Sequence, residues 1–468
     1  LMIGSEGTLG FVAEAVLNTV PDYPLKYTGL LYFDNVPGAC AAIADLRESG
    51  ARALELMDRA SLRSIAGQPG VPGEIRDLPE AAAALLVEYQ CETQDELEDR
   101  KRDCHAVLSS LTLLHPPDIT MDAGRQAALW KVRKGLIPSV GAMRRRGTSF
   151  ILEDVVFPIA RLADGVSDLQ ALFERFGYDD AIVFGHAKDG NLHFVLIQAF
   201  DDPEDVTRYD RFMHALADVV VGRYDGALKA EHGTGRNMAP FVGAEWGPEA
   251  YSIMRELKRL VDPDGLLNPG VILNDDPMAH VRHLKELSTV EEEVDLCIEC
   301  GFCERHCPSR ELTLTPRQRI VVRREMARLR EVEPRGAELA ELEADYSYDA
   351  IDTCAVDGMC AIACPVEIDT GALVRRLRFE SHSAVAEELV AVAAERFSWI
   401  EPVARLGLRL GGLLRRVLPP PARPTLPDLP RSGARAVYFP SCVSRVVGPD
   451  RGTGPAASIV ELVTRVAE

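Results

Sequence analysis

Cys297-Ile-Glu-Cys300-Gly-Phe-Cys303-Glu-Arg-His-Cys307-Pro308 is followed in the chain by Cys354-Ala-Val-Asp357-Gly-Met-Cys360-Ala-Ile-Ala-Cys364-Pro365. The first run has the C-x2-C-x2-C-x3-C-P spacing that lets three thiolates wrap one corner of an iron–sulfur cubane. A structural zinc site more often shows two separated C-x2-C pairs, so the spacing favours iron–sulfur. The second run keeps the register, with Asp357 standing where a cysteine belongs. In two-cluster geometry the fourth cysteine of each run ligates the other cluster. Cys297, Cys300, Cys303 and Cys364 then share one cluster, and Cys354, Cys360 and Cys307 the other, which is one thiolate short. An aspartate oxygen is a harder ligand than a thiolate. Asp357 therefore predicts either an oxygen-ligated [4Fe–4S] or a [3Fe–4S] centre, or else it is a solvent-facing carboxylate that binds nothing.

Of the 11 cysteines, those seven lie between residues 297 and 364. Such clustering argues against a disulfide framework spread through a secreted chain. Cys40, Cys91 and Cys104 read as structural thiols.

Working outward, TPRQRIVVRREMARLREV between the two runs is an Arg-rich amphipathic helix, and residues 276–400 read as an all-α cluster domain. Residues 25–275 interleave β-like runs such as LKYTGLLYF and AAALLVEY with helical patterns around 40–54 and in DRFMHALADVVVGRYDG, an α+β class. Residues 1–24 carry Gly4, Gly7 and Gly10 before FVAEAVLNTVP, which alternates like a strand leaving a tight turn. Residues 401–432 hold the basic helix VARLGLRLGGLLRRVL, with Arg405, Arg409, Arg415 and Arg416, and the Pro-rich linker LPPPARPTLPDLP. That helix face is either solvated or a peripheral contact with an anionic membrane. A further domain begins within 433–468. At 468 residues the chain has room for about three domains.

With 52 basic and 72 acidic residues, the net charge of −20 excludes a nucleic-acid footprint. An anionic substrate would need a local basic trap. No long apolar run and no signal-peptide pattern appear, so the expected location is the cytoplasm. Leu1 at the start and the half-helix ASIVELVTRVAE at the end suggest a fragment of a longer protein.

Two upstream segments concentrate chemistry: Gly185-His186-Ala-Lys188-Asp189-Gly190-Asn191-Leu192-His193 and Glu231-His232-Gly233-Thr-Gly235-Arg236. Histidines and a carboxylate on glycine-loosened backbone suit zinc or a similar divalent ion with positions open for substrate.

Together with IGSEGTLGFVAEA at 3–15, FGHAKDGNLHF at 184–194, EHGTGR at 231–236 and EWGPEAYSIMRELKRLVDPDGLLNPGVIL at 245–273, the cluster motifs make the chain resemble the FAD-linked oxidases of the vanillyl-alcohol oxidase type. Within them it is similar to the D-lactate dehydrogenases that join flavin and iron–sulfur domains in one chain. The resemblance implies that 1–24 ends an FAD-binding domain and 25–275 is the α+β substrate cap. It also implies that YFPSCVSRVVG opens a heterodisulfide-reductase-like domain. It implies His186, His193 and Glu231 as metal ligands, His232 as the base, Arg133 as the carboxylate clamp, and Ser5, Glu6, Gly7 and Asn268 near the flavin. The Gly-rich pyrophosphate loop would belong to an N-terminal half outside this sequence. The implied reaction is oxidation of D-lactate to pyruvate, with electrons leaving through two clusters to a quinone or cytochrome. D-2-hydroxyglutarate and glycolate are the alternative substrates. In D-2-hydroxyglutarate dehydrogenases, which the chain resembles around WKVRKGLIPS and FILEDVVFP, the positions matching Ile137 and Leu152 hold a distal carboxylate. Here both are apolar. A reading from another class is a non-catalytic electron-transfer module.

Overall fold

The computed structural model describes residues 2–407 apart from Pro69, Ser398, Glu401, Ala404 and Arg405. Arg405, Arg409, Arg415 and Arg416 of the basic helix, the Pro-rich linker and the YFPSCVSRVVG segment lie outside the described residues. Seven short runs rich in Leu, Val, Ile and Phe form strands, because β-branched and aromatic side chains fit a half-buried pleated surface. They are β1 (Leu25–Phe33), β2 (Ala53–Asp58), β3 (Ala83–Cys91), β4 (Asp118–Thr120), β5 (Ser149–Val156), β6 (Ile182–His186) and β7 (Asn191–Gln198). They make one antiparallel sheet in the order β4-β1-β3-β2-β6-β7-β5.

Helices cover both faces. On one, Leu31, Phe33, Leu54, Leu56, Leu85, Val87, Phe194 and Leu196 pack with α1 (Val36–Glu48), α3 (Gln94–Leu108), α6 (Leu162–Phe176) and α7 (Pro203–Ala217). On the other, Leu30, Met57, Leu86, Phe184, Val195 and Ile197 pack with α2 (Arg59–Ile65), Val132 of α4 (Ala123–Lys134), and Leu136 and Val140 of α5 (Leu136–Met143). Burying each such leucine contributes about 2 kcal/mol. Successive side chains on a strand point to opposite faces, so residues two apart share one. At one end of the second face the apolar set gives way: Leu86 to Glu88, Met57 to Glu55, Phe184 to His186, Val195 to His193, Leu152 to Asp154. Five strands thereby deliver polar side chains to one rim.

Three local readings need correction. The helix expected around 40–54 stops at Glu48, where Gly50 (φ 97°) turns the chain into β2. The DRFMHALADVVVGRYDG pattern leaves α-helix at Ala217 and finishes as a π-helix to Arg223. FVAEAVLNTVP is exposed and forms no strand, since alternation makes a strand only where a neighbour completes the ladder.

Downstream of α8 (Val242–Val261), which is kinked at Gly247, the chain runs through 3-10 turns until α9 (Pro316–Val332). A capping box of Thr315 and Gln318 starts α9. α10 (Ala337–Tyr346), α11 (Met359–Ala363), α12 (Thr370–Glu380) and α13 (Ala384–Glu395) follow. The cluster segment is thus helical only from α9 onward. The described residues up to Arg375 form one compact unit, and those from Arg376 belong to a second. Within the first, α5 packs on the cluster loop: a Cβ placed on Gly141 would come 3.1 Å from Ile298 and 3.5 Å from Val366. The Arg144 guanidinium just beyond α5 donates to the Asp295 and Cys297 carbonyls, both at 2.8 Å. Among the described residues no helix is long and apolar enough to cross a membrane.

Candidate active site and cluster ligands

His186 ends β6, His193 points from β7, and the loop after Ala227 brings Glu231 over both. Glu231 Oε1 lies 3.2 Å from His186 Nε2 and 3.0 Å from His193 Nε2. Two imidazoles and a carboxylate with ligand atoms within 4.8 Å of one another fit a divalent ion. Burial, then the charges of His232, Arg133 and His186, lowers the His193 pKa to about 3. The ring is neutral at pH 7, as a metal ligand must be.

Glu55 on β2 organises the rim. One of its oxygens accepts His186 Nδ1 at 2.7 Å and the other accepts Arg133 Nε at 2.8 Å. A ligating histidine whose second nitrogen is held by a carboxylate is fixed in tautomer and ring orientation. Burial alone would push Glu55 up, but the His186 hydrogen bond and the Arg133 charge outweigh it and hold the carboxyl below its ordinary range. The same hydrogen bond raises His186. Arg133 also lies over the Phe184 ring at 4.6 Å, so its guanidinium plane is set by two neighbours.

His232 stacks on His193, with ring centroids 4.6 Å apart and planes 8° from parallel. Its Nδ1 is 3.8 Å from Asp154 Oδ1. Asp154, fully buried on β5, uses its other oxygen to accept the amides of Ala230, Glu231 and His232 at 3.0, 2.7 and 3.4 Å. One carboxylate therefore holds the loop that carries both Glu231 and His232. Beside it Lys229 is ion-paired with Glu153 and 3.7 Å from Asp154 Oδ1, and burial lowers it to about 8. Asn237 donates to the other Glu153 oxygen at 2.7 Å.

The four residues expected near the flavin gather on this loop's far side. Glu6 accepts the Thr234 and Gly235 amides, and Asn268 donates to the Glu6 carbonyl. Gly7 has φ 74°, and a Cβ there would meet Asn268 Nδ2 at 3.1 Å. Ser5 is buried in the same turn. The Glu6 carboxylate is engaged in bracing backbone.

In the cluster segment the thiols of the expected exchanged set sense one another. Burial first, then the Glu299 charge and after it Cys364, raises Cys297, while Cys303 is raised to about 12 by burial, with Cys297 and Cys364 adding to it. Burial also raises Cys364, with Cys300 and Cys360 contributing. The Glu299 amide donates to Cys297 Sγ at 3.4 Å. A backbone N–H aimed at sulfur suits a cluster ligand, and binding a cluster would have to overcome the burial that favours the protonated thiols. Of the second set, Cys307 and Cys360 are buried and Cys354 is half-buried. Asp357 is exposed and its Oδ1 accepts the Met359 amide at 3.1 Å. Among the described hydrogen bonds, Cys360 Sγ lies 4.0 Å from Asp369 Oδ1.

Sequence reasoning missed Glu55, Glu153, Asp154, Lys229, Asn237 and Asp369. The signal was there for three of them: ALELMD and FILEDVVF place carboxylates inside otherwise apolar strands.

Residues 25–272 match the family described as FAD linked oxidases, C-terminal domain, and residues 293–368 match the 4Fe-4S dicluster domain. The first indicates FAD and the second 4Fe-4S clusters. The expected α+β cap followed by a ferredoxin-type segment is borne out. The chain is 29% identical over 279 residues to glycolate oxidase subunit GlcD of Escherichia coli (strain K12), covering 58% of this chain and 52% of that protein. It is 27% identical over 286 residues to a D-lactate dehydrogenase of Anaerostipes hadrus, covering 58% and 57%. It is 28% identical over 287 residues to a D-2-hydroxyglutarate dehydrogenase of Stutzerimonas stutzeri, covering 58% of each. The chain spans a little over half the length of the curated relatives it matches.

Proposed function

We propose that this chain, which belongs to the FAD linked oxidases through their C-terminal domain and carries a 4Fe-4S dicluster domain, oxidises D-lactate to pyruvate as part of a flavin-dependent 2-hydroxy-acid dehydrogenase. The observation that carries this reading is the convergence of His186, His193, Glu231, His232 and Arg133 on one rim of the sheet. A passive electron-transfer module has no use for it.

Arg133, oriented by Glu55 and Phe184, binds the substrate carboxylate and supplies the basic trap that a chain of net charge −20 needs. His186, His193 and Glu231 hold the divalent ion, and Ser5, Glu6, Gly7 and Asn268 line the flavin side. His232 faces the buried Asp154 with Nδ1, which leaves Nε2 to take the hydroxyl proton. When bound, a divalent ion would supply polarisation of that hydroxyl, the flavin would supply the hydride acceptor for Cα, and the clusters would supply one-electron carriers. Cys297, Cys300, Cys303 and Cys364 hold one cluster; Cys307, Cys354 and Cys360 hold the other, with Asp357 or Asp369 as the oxygen donor. A quinone or cytochrome receives the electrons at the cytoplasmic side of the membrane.

Ile137 and Leu152 favour lactate over a dicarboxylate. Both are half-buried against the apolar cluster of the site face, Leu152 two residues along β5 from Asp154. A second carboxylate buried there without a partner costs several kcal/mol. The test is anaerobic flavin bleaching in the full-length protein by D-lactate, with glycolate and D-2-hydroxyglutarate alongside. Failure of all three to bleach it would end the proposal.

A further inference from the structure

Arg319, on the first turn of α9, is 1% exposed and heads the fully buried side chains of the described residues by volume. Its Nε donates to the Ala350 carbonyl at 2.8 Å, one Nη to Ser309 Oγ at 3.2 Å and the other to Cys307 Sγ at 3.7 Å. Among the described ion pairs none joins Arg319 to a carboxylate. Burying a guanidinium without a counter-charge costs several kcal/mol, so its negative partner is to be sought at the sulfur it touches. At the other run buried arginines also act on a ligand cysteine, Cys297, by charge, and the difference lies in the direct contact. Arg144 and Arg324 are also buried there, yet their described hydrogen bonds go to the Asp295 and Cys297 carbonyls, with Arg144 also on Thr148 O and Arg145 O and Arg324 on Glu299, and none to a sulfur.

We propose that Arg319 is the counter-charge of the cluster ligated by Cys307 and raises that cluster's reduction potential relative to its neighbour's. A cluster's potential follows its net charge and the hydrogen bonds to its sulfurs, and a buried cation at a ligand sulfur favours the state that carries one more electron. The placement has a direction. The Cys297 loop and Val366, two residues beyond Cys364, pack on α5 of the sheet domain. Cys307 is instead held by Arg319, and the Ser309 beside it donates to the Thr353 carbonyl within the cluster segment. Arg319 thereby biases electrons away from the sheet domain. The inference rests on the ligand assignment proposed above.

The test is a potentiometric titration followed by electron paramagnetic resonance on the anaerobically purified full-length protein, with iron per chain measured in each variant. Cys307→Ser identifies the signal of the cluster in question. Both signals surviving that change unaltered would fail the ligand assignment, independently of Arg319. In Arg319→Gln that cluster is expected to titrate at lower potential while the other midpoint stays in place, and Arg319→Lys, which keeps the charge but loses the fork, to shift less in the same direction. Should Arg319→Gln lose iron, Arg319→Lys carries the comparison. Unmoved midpoints with full iron, or equal movement of both, would overturn the proposal.

Discussion

Replacing Asp154 by Asn removes a charge from a fully buried position while keeping its shape. In the native protein one oxygen accepts three amides, at 3.0, 2.7 and 3.4 Å. A hydrogen bond to a charged group is worth about 1.5–3 kcal/mol and a neutral one about 0.5–1.5. Neutralising the acceptor therefore costs about 1 kcal/mol at each of the two shorter bonds and less at the longest. The total, about 2–3 kcal/mol, corresponds to about 30- to 150-fold more frequent opening of the Ala230–His232 loop. Lys229 keeps Glu153 as its ion-pair partner, so the fold should survive. Native-state hydrogen exchange on a peptide covering 226–236 reads the loop directly. The expected result is faster exchange of its amides by that factor, with protection of β7 unchanged and turnover reduced. Full protection of the loop in Asp154→Asn would refute the bracing role, whatever happened to turnover.

Further outcomes follow from the same geometry. His232→Ala is expected to lower turnover by about 10²–10⁴ at intact flavin content, whereas His186→Ala should lose the divalent ion; metal analysis with steady-state kinetics separates the two, and normal turnover with full metal in both would displace the site. D-lactate should exceed D-2-hydroxyglutarate in kcat/KM, and Leu152→Lys should narrow the ratio; a native preference for the dicarboxylate contradicts the apolar-wall argument. Asp357→Cys should convert the second cluster to all-thiolate ligation with a changed paramagnetic resonance spectrum. An unchanged spectrum there, with a changed one in Asp369→Asn, would transfer the oxygen ligand to Asp369.

The iron–sulfur segment was legible in the sequence because the part of cubane ligation that is local, three thiolates in C-x2-C-x2-C spacing, carries its geometry with it. The fold class was legible for a related reason, since β-like runs such as LKYTGLLYF became β1 and the 3.6-period run after Thr315 became α9. His186, His193 and Glu231 stood out by residue type on glycine-rich segments, and their expected roles, with that of Arg133, came from the resemblance, not from periodicity. What no local pattern contained was the partner of each. Glu55 meets His186 across 131 residues and Arg133 across 78, Asp154 meets Glu231 across 77, and Glu6 braces Gly235 across 229. Antiparallel order decides the first of those meetings, because pairing β2 with β6 sets Glu55 opposite His186, and pairing β5 with β7 likewise sets Asp154 opposite His193. The same dependence on neighbours explains FVAEAVLNTVP, whose alternation is strand-like yet whose residues stay out of the sheet. Residue type and spacing determined what each segment could become; the register between strands far apart in the chain decided which carboxylates hold the histidines and the arginine in place.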